Sequence, residues 1–109
     1  MASFGENAVH AWARVNQTGS QSVTDSYNVS SITDSGTGRT QFNFSTNAIN
    51  NDFAYVSMAG NVNSTTTSGR TQNNDNSQTT SSFRLRNLNT NSDSQTDDSL
   101  INVIVISDN

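Results

Sequence analysis

Along the chain, apolar residues recur at every second position and nowhere at helical spacing. Val9, Ala11, Ala13 and Val15 alternate with His10, Trp12 and Arg14, which predicts a strand with the first set on one face and the second on the other. Asn16 to Ser20 (NQTGS) supplies turn chemistry around Gly19. A second stretch begins at Val23 and continues with Tyr27 and Val29 on the same face; Ile32 then breaks the parity, which predicts a bulge near Ser30–Ser31. Asp34-Ser35-Gly36-Thr37-Gly38 has the composition of a turn, with two glycines available for positive φ. After it Thr40, Phe42 and Phe44 alternate with Gln41 and Asn43, so this region predicts a hairpin. Phe53 to Ala59 is apolar at both parities, as for a strand covered on both sides. Asn63 to Ser82 contains no apolar residue; its middle is expected to be a surface loop, with Thr-rich flanks extending the neighbouring strands. Phe83-Arg84-Leu85-Arg86 alternates again, and Asn87 to Ser99 forms a second polar connection. Leu100 to Ile106 is the most β-prone segment and is expected to be a central or interface strand.

These elements imply an all-β fold: an antiparallel β-sandwich, jelly-roll-like or Ig-like, of about six to eight strands. At 109 residues the chain has room for one core, so 1–109 is expected to be a single domain with residues 1–7 as an N-terminal arm. Asn, Ser, Thr and Gln fill 55 of the 109 positions, while Leu, Ile, Val and Phe number 21. So low an apolar content points to disorder when net charge is high, but here the net charge is only −4. The core is nevertheless thin, and oligomerisation is the usual remedy.

The chain has no Cys, which excludes disulfides and thiolate metal sites. It has no Lys and five Arg against nine acids, too little positive charge for non-specific nucleic-acid binding. The longest apolar run, Val103 to Ile106, is far too short to span a bilayer, so no membrane insertion is expected. The start MASFGENAVH has neither a basic nor an apolar signal region, so no secretory signal is expected.

Candidate chemistry is sparse. His10 is the single histidine, and a triad would need a Ser and a carboxylate placed around it. With 18 Ser and nine acids, a loose match carries no weight. Asp97 and Asp98 are adjacent and point to opposite faces if extended, a poor pair for glycoside hydrolysis. Asp25, Asp34, Asp52 and Asp75 stand in turn-like contexts, where Asp bonds its own backbone. Asp93, Asp97 and Asp98 supply oxygen ligands for Ca²⁺, but in no EF-hand spacing. Glycosylation triplets at Asn16, Asn28, Asn43 and Asn63 are what chance gives with 32 Ser and Thr in the chain. Trp12, Tyr27, Tyr55 and the five Phe suit a sugar-stacking platform or, more simply, a core and an interface. On these grounds no catalytic, cofactor-binding or metal-binding residue is assigned, and no enzymatic activity is expected.

The stretch Asp25-Ser-Tyr-Asn-Val-Ser-Ser-Ile-Thr-Asp-Ser-Gly-Thr-Gly38, followed by Thr40-Gln-Phe-Asn-Phe44, is the most distinctive part of the chain. It resembles a small domain of bacteriophage virion proteins, especially tail fibres of marine and cyanobacterial phages, which reads AWVNFNGTG and then SYNVSSITDNGTGDYTVNF. Ala11-Trp12, Asn16-Gln17-Thr18-Gly19, Asp52-Phe53-Ala54-Tyr55 and Ser82-Phe83-Arg84-Leu85-Arg86 extend the likeness over roughly residues 8–106. Ala13-Arg14-Val15 departs from it, standing where the family has Val-Asn-Phe. The resemblance implies a virion structural protein, made in the host cytoplasm and carried on the tail fibre or capsid surface. A tip or knob-like module for host-surface attachment comes first. A capsid or tail decoration protein without receptor role is the alternative within the virion, and a soluble carbohydrate-binding protein the alternative outside it. With few residues ahead of the domain, attachment to a separate shaft or particle surface is expected.

Other virion proteins are therefore expected partners, with a host-surface glycan a further one. The resemblance also implies a homo-oligomer, a trimer first. Independently, if Ile101, Val103 and Val105 fill the sandwich, Ile104 and Ile106 point outward and need cover. Val9, Ala11, Ala13 and Val15 pose the same problem opposite Trp12. Receptor contact is expected from Ser68–Ser77 and Asn87–Ser99, the longest segments without a strand pattern.

Overall fold

The computed structural model describes residues 7–61, 69–75 and 77–108. Among them lie nine strands and no helix: β1 (Asn7–Asn16), β2 (Ser22–Tyr27), β3 (Val29–Gly36), β4 (Arg39–Phe44), β5 (Ala54–Gly60), β6 (Arg70–Asn74), β7 (Ser82–Asn89), β8 (Ser94–Gln95) and β9 (Leu100–Asp108). They form two sheets, ordered β2-β1-β9-β5 and β3-β4-β7-β6. Every pairing is antiparallel. β6 and β8 both pair with Leu88 and Asn89, so they take opposite edges of β7, and β8 continues the line of β4. The fold is the expected all-β sandwich.

The alternating residues supply the core. Ala11, Ala13, Val15, Ile101, Val103 and Val105 face inward from the first sheet; Phe42, Phe44, Phe83 and Leu85 face them from the second. Phe42 and Phe83 are directly opposed across β4 and β7 and stack at 4.9 Å, an offset geometry that aromatic rings favour. β9 lies between β1 and β5, the central place its composition predicts. The bulge expected near Ser30–Ser31 is present, as a register shift between Val29 and Ser31.

Several expectations are corrected. Asn7 pairs with Asp108 inside β1, so the arm does not reach residue 7; residues 1–6 lie outside the described residues. A register shift between Val9 and Ala11 turns Val9 outward, 51% exposed, and presses the ring of His10 edge-on against the core residue Phe44. His10 thereby leaves the face that holds Trp12. A second shift, between Arg14 and Val15, places Val23 opposite Val15 and Tyr27 opposite Trp12, so Val23 and Tyr27 do not share a face. The turn after β3 is shorter than expected, only Thr37 and Gly38. Asp25 and Asp34 stand inside β2 and β3 rather than in turns.

β5 is not covered on both sides. Tyr55 is half-buried against Phe83, but Ala54, Val56 and Met58 are exposed on the opposite face. The polar stretch 63–82 contains β6, and Asn87–Ser99 contains the end of β7 and all of β8. Each expected receptor segment thus gives five residues to the sheet, 70–74 of the first and 87–89 with 94–95 of the second; of the first, residues 68 and 76 lie outside the described residues. The physical reason is that β6 turns Arg70 and Gln72 inward to polar partners, so no apolar residue marks it.

Candidate functional site

The two outer faces of the sandwich differ in chemistry. On the first sheet, cross-strand pairing sets Tyr27, Trp12, Ile104 and Val56 in one row. Val9, Ile106 and Ala54 form the next row. Val56 is 66% exposed, Met58 64% and Ile104 45%. Ile104 and Ile106 point outward as expected, while Ile101, Val103 and Val105 fill the core. Shallow grooves of about 230 and 550 Å³ flank Ile104, one against Val56 and Met58, the other against Trp12 and Arg14. A contiguous apolar face of this kind differs from the scattered exposed residues common to soluble proteins.

The aromatic candidates divide accordingly. Trp12 and Tyr27 belong to the exposed face. Phe42, Phe44, Phe53 and Phe83 are core, and Tyr55 lies 4.5 Å from Phe83. Burial, then the nearby Asp75 charge, raise the phenol of Tyr55 above its ordinary pKa; its hydroxyl donates to Asn74 at 3.2 Å.

At one corner, Asn28 is the single residue between β2 and β3, where the chain crosses from the first sheet to the second. Its φ is 57°, a left-handed conformation that Asn tolerates better than most residues. Its amide donates to the His10 carbonyl at 2.9 Å and the Thr46 carbonyl at 3.2 Å, and its Oδ1 accepts from the Thr46 N–H at 2.7 Å. The same amide nitrogen lies 3.2 Å from His10 Nε2. The histidine meets an amide and a phenyl ring, an anchoring arrangement and not the Ser–His–carboxylate one.

The acidic trio at 93, 97 and 98 diverges. Asp93 occupies a turn with φ 56°. Asp97 accepts from the Gly38 N–H at 2.6 Å. Asp98 is fully buried and receives Arg70 Nε at 2.6 Å, Arg70 Nη2 at 3.2 Å and Asn87 Nδ2 at 2.8 Å. No group of three metal-ligating side chains converges among the described residues. Sequence reading missed this buried ion pair, because Arg70 and Asp98 are 28 positions apart and each stands in a polar segment.

On the second sheet the outer face is polar and positively charged. Arg39 stands directly opposite Arg86, with Arg84 two residues further along β7. Asp75 follows β6 and takes Arg39 Nε at 2.8 Å and Arg39 Nη2 at 2.6 Å, both on Oδ2; Arg84 Nη1 lies 3.5 Å from the same oxygen. Burial pushes the Asp75 carboxyl upward, but the Arg39 hydrogen bond and charge, with the charges of Arg84 and Arg86, leave it below the ordinary carboxylate value. A depressed folded-state value means that its stabilisation is present above the ordinary value and is lost as pH falls through the folded-state value. Acid titration of the urea midpoint should therefore show a decline below about pH 4 that Asp75→Asn flattens. Parallel curves for the two proteins would refute the assignment.

Comparison with protein-family models, with curated proteins and with solved structures finds no match for this chain. No helix among the described residues is long and apolar enough to cross a membrane.

Proposed function

We propose that the chain is a bacteriophage virion structural protein, a tail-fibre tip or knob-like module for host-surface attachment, without enzymatic activity and assembled as a homo-oligomer, a trimer first. The virion assignment rests on the resemblance of residues 25–44, strengthened along residues 8–106. The observation that supports assembly is the outer face of the first sheet. Trp12, Ile104, Val56 and Met58 stay exposed there, apart from the core that the inward-facing residues of the two sheets form. Neighbouring copies packed over these residues around a common axis would remove them from water at roughly 25 cal/mol per Å² of apolar surface.

Light scattering on purified protein tests the assembly. A stable folded monomer at micromolar concentration would remove it. If a trimer forms, Ile104→Asp should dissociate it while circular dichroism keeps its β signature, because Ile104 points away from its own core. Immunogold labelling of intact particles tests the location: signal at the tail supports attachment, signal over the head favours the decoration role, and absence from particles refutes both.

A further inference from the structure

The outer face of the second sheet combines features that a purely structural face has little reason to keep. Arg39 and Arg86 are directly opposed across β4 and β7, and like charges in that position repel. Arg84 stands on the same face of β7. Asp75 binds Arg39 and lies near Arg84, yet Arg86 has no hydrogen-bond or ion-pair partner among the described residues. The buried Nε atoms of Arg84 and Arg86 have no hydrogen-bond acceptor. Three guanidiniums against one carboxylate leave this face strongly positive, although the whole chain carries −4. Beside them lies a row of amides and hydroxyls. Gln41 Nε2 donates to Asn43 Oδ1 at 2.8 Å, and Asn43 Nδ2 donates to Ser31 Oγ at 3.1 Å and Thr33 Oγ1 at 3.2 Å.

We infer that this face binds a carboxylate-bearing polysaccharide, with Arg84 and Arg86 holding the uronate carboxylate and Gln41, Asn43 and Thr33 facing its hydroxyls. The inference rests on the attachment reading above and names its ligand class and place. A planar guanidinium matches a carboxylate with two parallel hydrogen bonds, so arginine suits this role better than lysine, which the chain lacks. Charge density separates a glycan from a nucleic acid. Duplex DNA carries one negative charge per about 1.7 Å, which a chain of net −4 repels. A polysaccharide with one carboxylate per sugar or per few sugars presents its charge more sparsely, at a spacing that a local cluster can meet. No aromatic side chain stands among the residues of this face to stack a base.

The test is an NMR titration of the intact protein at low salt with tetragalacturonate, with a neutral galactose tetramer and a single-stranded DNA octamer as comparison probes. Tetragalacturonate should shift the guanidinium Nη–H signals of Arg84 and Arg86 saturably, and the neutral tetramer should leave them in place. Arg86→Gln should weaken binding at least tenfold while circular dichroism keeps the β signature, since the Arg86 side chain makes no hydrogen bond among the described residues. If that variant fails to fold, the wild-type titration decides alone. Absence of a saturable shift, equal shifts with the neutral tetramer, tighter binding of the DNA at the same signals, or unaltered affinity of a folded Arg86→Gln would each overturn the inference. Particle labelling fails or succeeds independently, so loss of this binding site and loss of the virion reading are distinguishable.

Discussion

Replacing Gly38 with alanine is expected to destabilise the domain by about 2–5 kcal/mol, combining about 1–2 for the left-handed backbone with about 1–3 for overpacking. Gly38 has φ 70°, and a Cβ built there would lie 2.7 Å from the Asn87 carbonyl oxygen and 2.8 Å from both the N and O of Thr96. All three are backbone atoms of the segments that Gly38 joins, so no side chain can swing away. The Gly38 carbonyl accepts from the Asn87 N–H at 2.8 Å, and Thr96 N–H donates to the Asn87 carbonyl at 3.0 Å. The β3–β4 turn is thus wedged between the end of β7 and the segment after β8. Gly19 provides the control: its φ is 66°, but a Cβ there meets nothing within 4 Å. Gly19→Ala should cost only the backbone share, about 1–2 kcal/mol. Thermal unfolding of both variants separates the two contributions, with Gly38→Ala falling by roughly 10–20 °C. Equal losses in the two variants would show that the turn is not wedged.

Strands with an apolar inner face were legible from the chain. β4, β7 and β9 alternate as their burial does, and the outward Ile104 and Ile106 follow from the same parity. β6 was not legible, because its inward residues are Arg70 and Gln72, whose partners Asp98 and Asn87 are themselves polar. Hydrophobic periodicity detects a strand only when the core accepts its side chains as apolar. The bulge at Val9 was equally hidden: a register shift leaves no mark in a stretch that alternates cleanly on either side of it. Val56 and Met58 were misplaced for another reason. Their apolarity was plain, but residue type does not say whether the cover comes from the same chain. The positive face was half legible, since Arg84 and Arg86 share a parity in sequence. Arg39 joins them only because β4 pairs with β7 across more than forty residues of chain.

Removing the Asp98 carboxylate should cost about as much as Gly38→Ala, for an electrostatic reason. Asp98 is fully buried, and the Arg70 side chain that grips it is only 10% exposed. Its carboxylate binds Arg70 through two nitrogens and accepts from Asn87 Nδ2, while its own N–H donates to Gln17 Oε1 at 3.2 Å and its carbonyl accepts from Gln17 N–H at 2.9 Å. Gln17 Nε2 in turn donates to Thr40 Oγ1 at 3.0 Å, whose hydroxyl donates to Gln21 Oε1 at 2.6 Å. The chain of contacts joins the end of β1, β4 and the start of β9 across the sandwich. Asp98→Ala leaves a guanidinium with its main anion gone in a nearly closed site, an error worth about 3–5 kcal/mol. Arg70→Ala makes the converse error and strands a buried carboxylate on one amide. Because each single change leaves the partner charge exposed to the low-dielectric interior, the double variant Asp98→Ala/Arg70→Ala should lose less than the two losses added. A denaturant-unfolding cycle of the four proteins measures that difference. A loss below about 1 kcal/mol for Asp98→Ala, typical of an exposed ion pair, would mean that water reaches the site and that the sandwich does not depend on this contact.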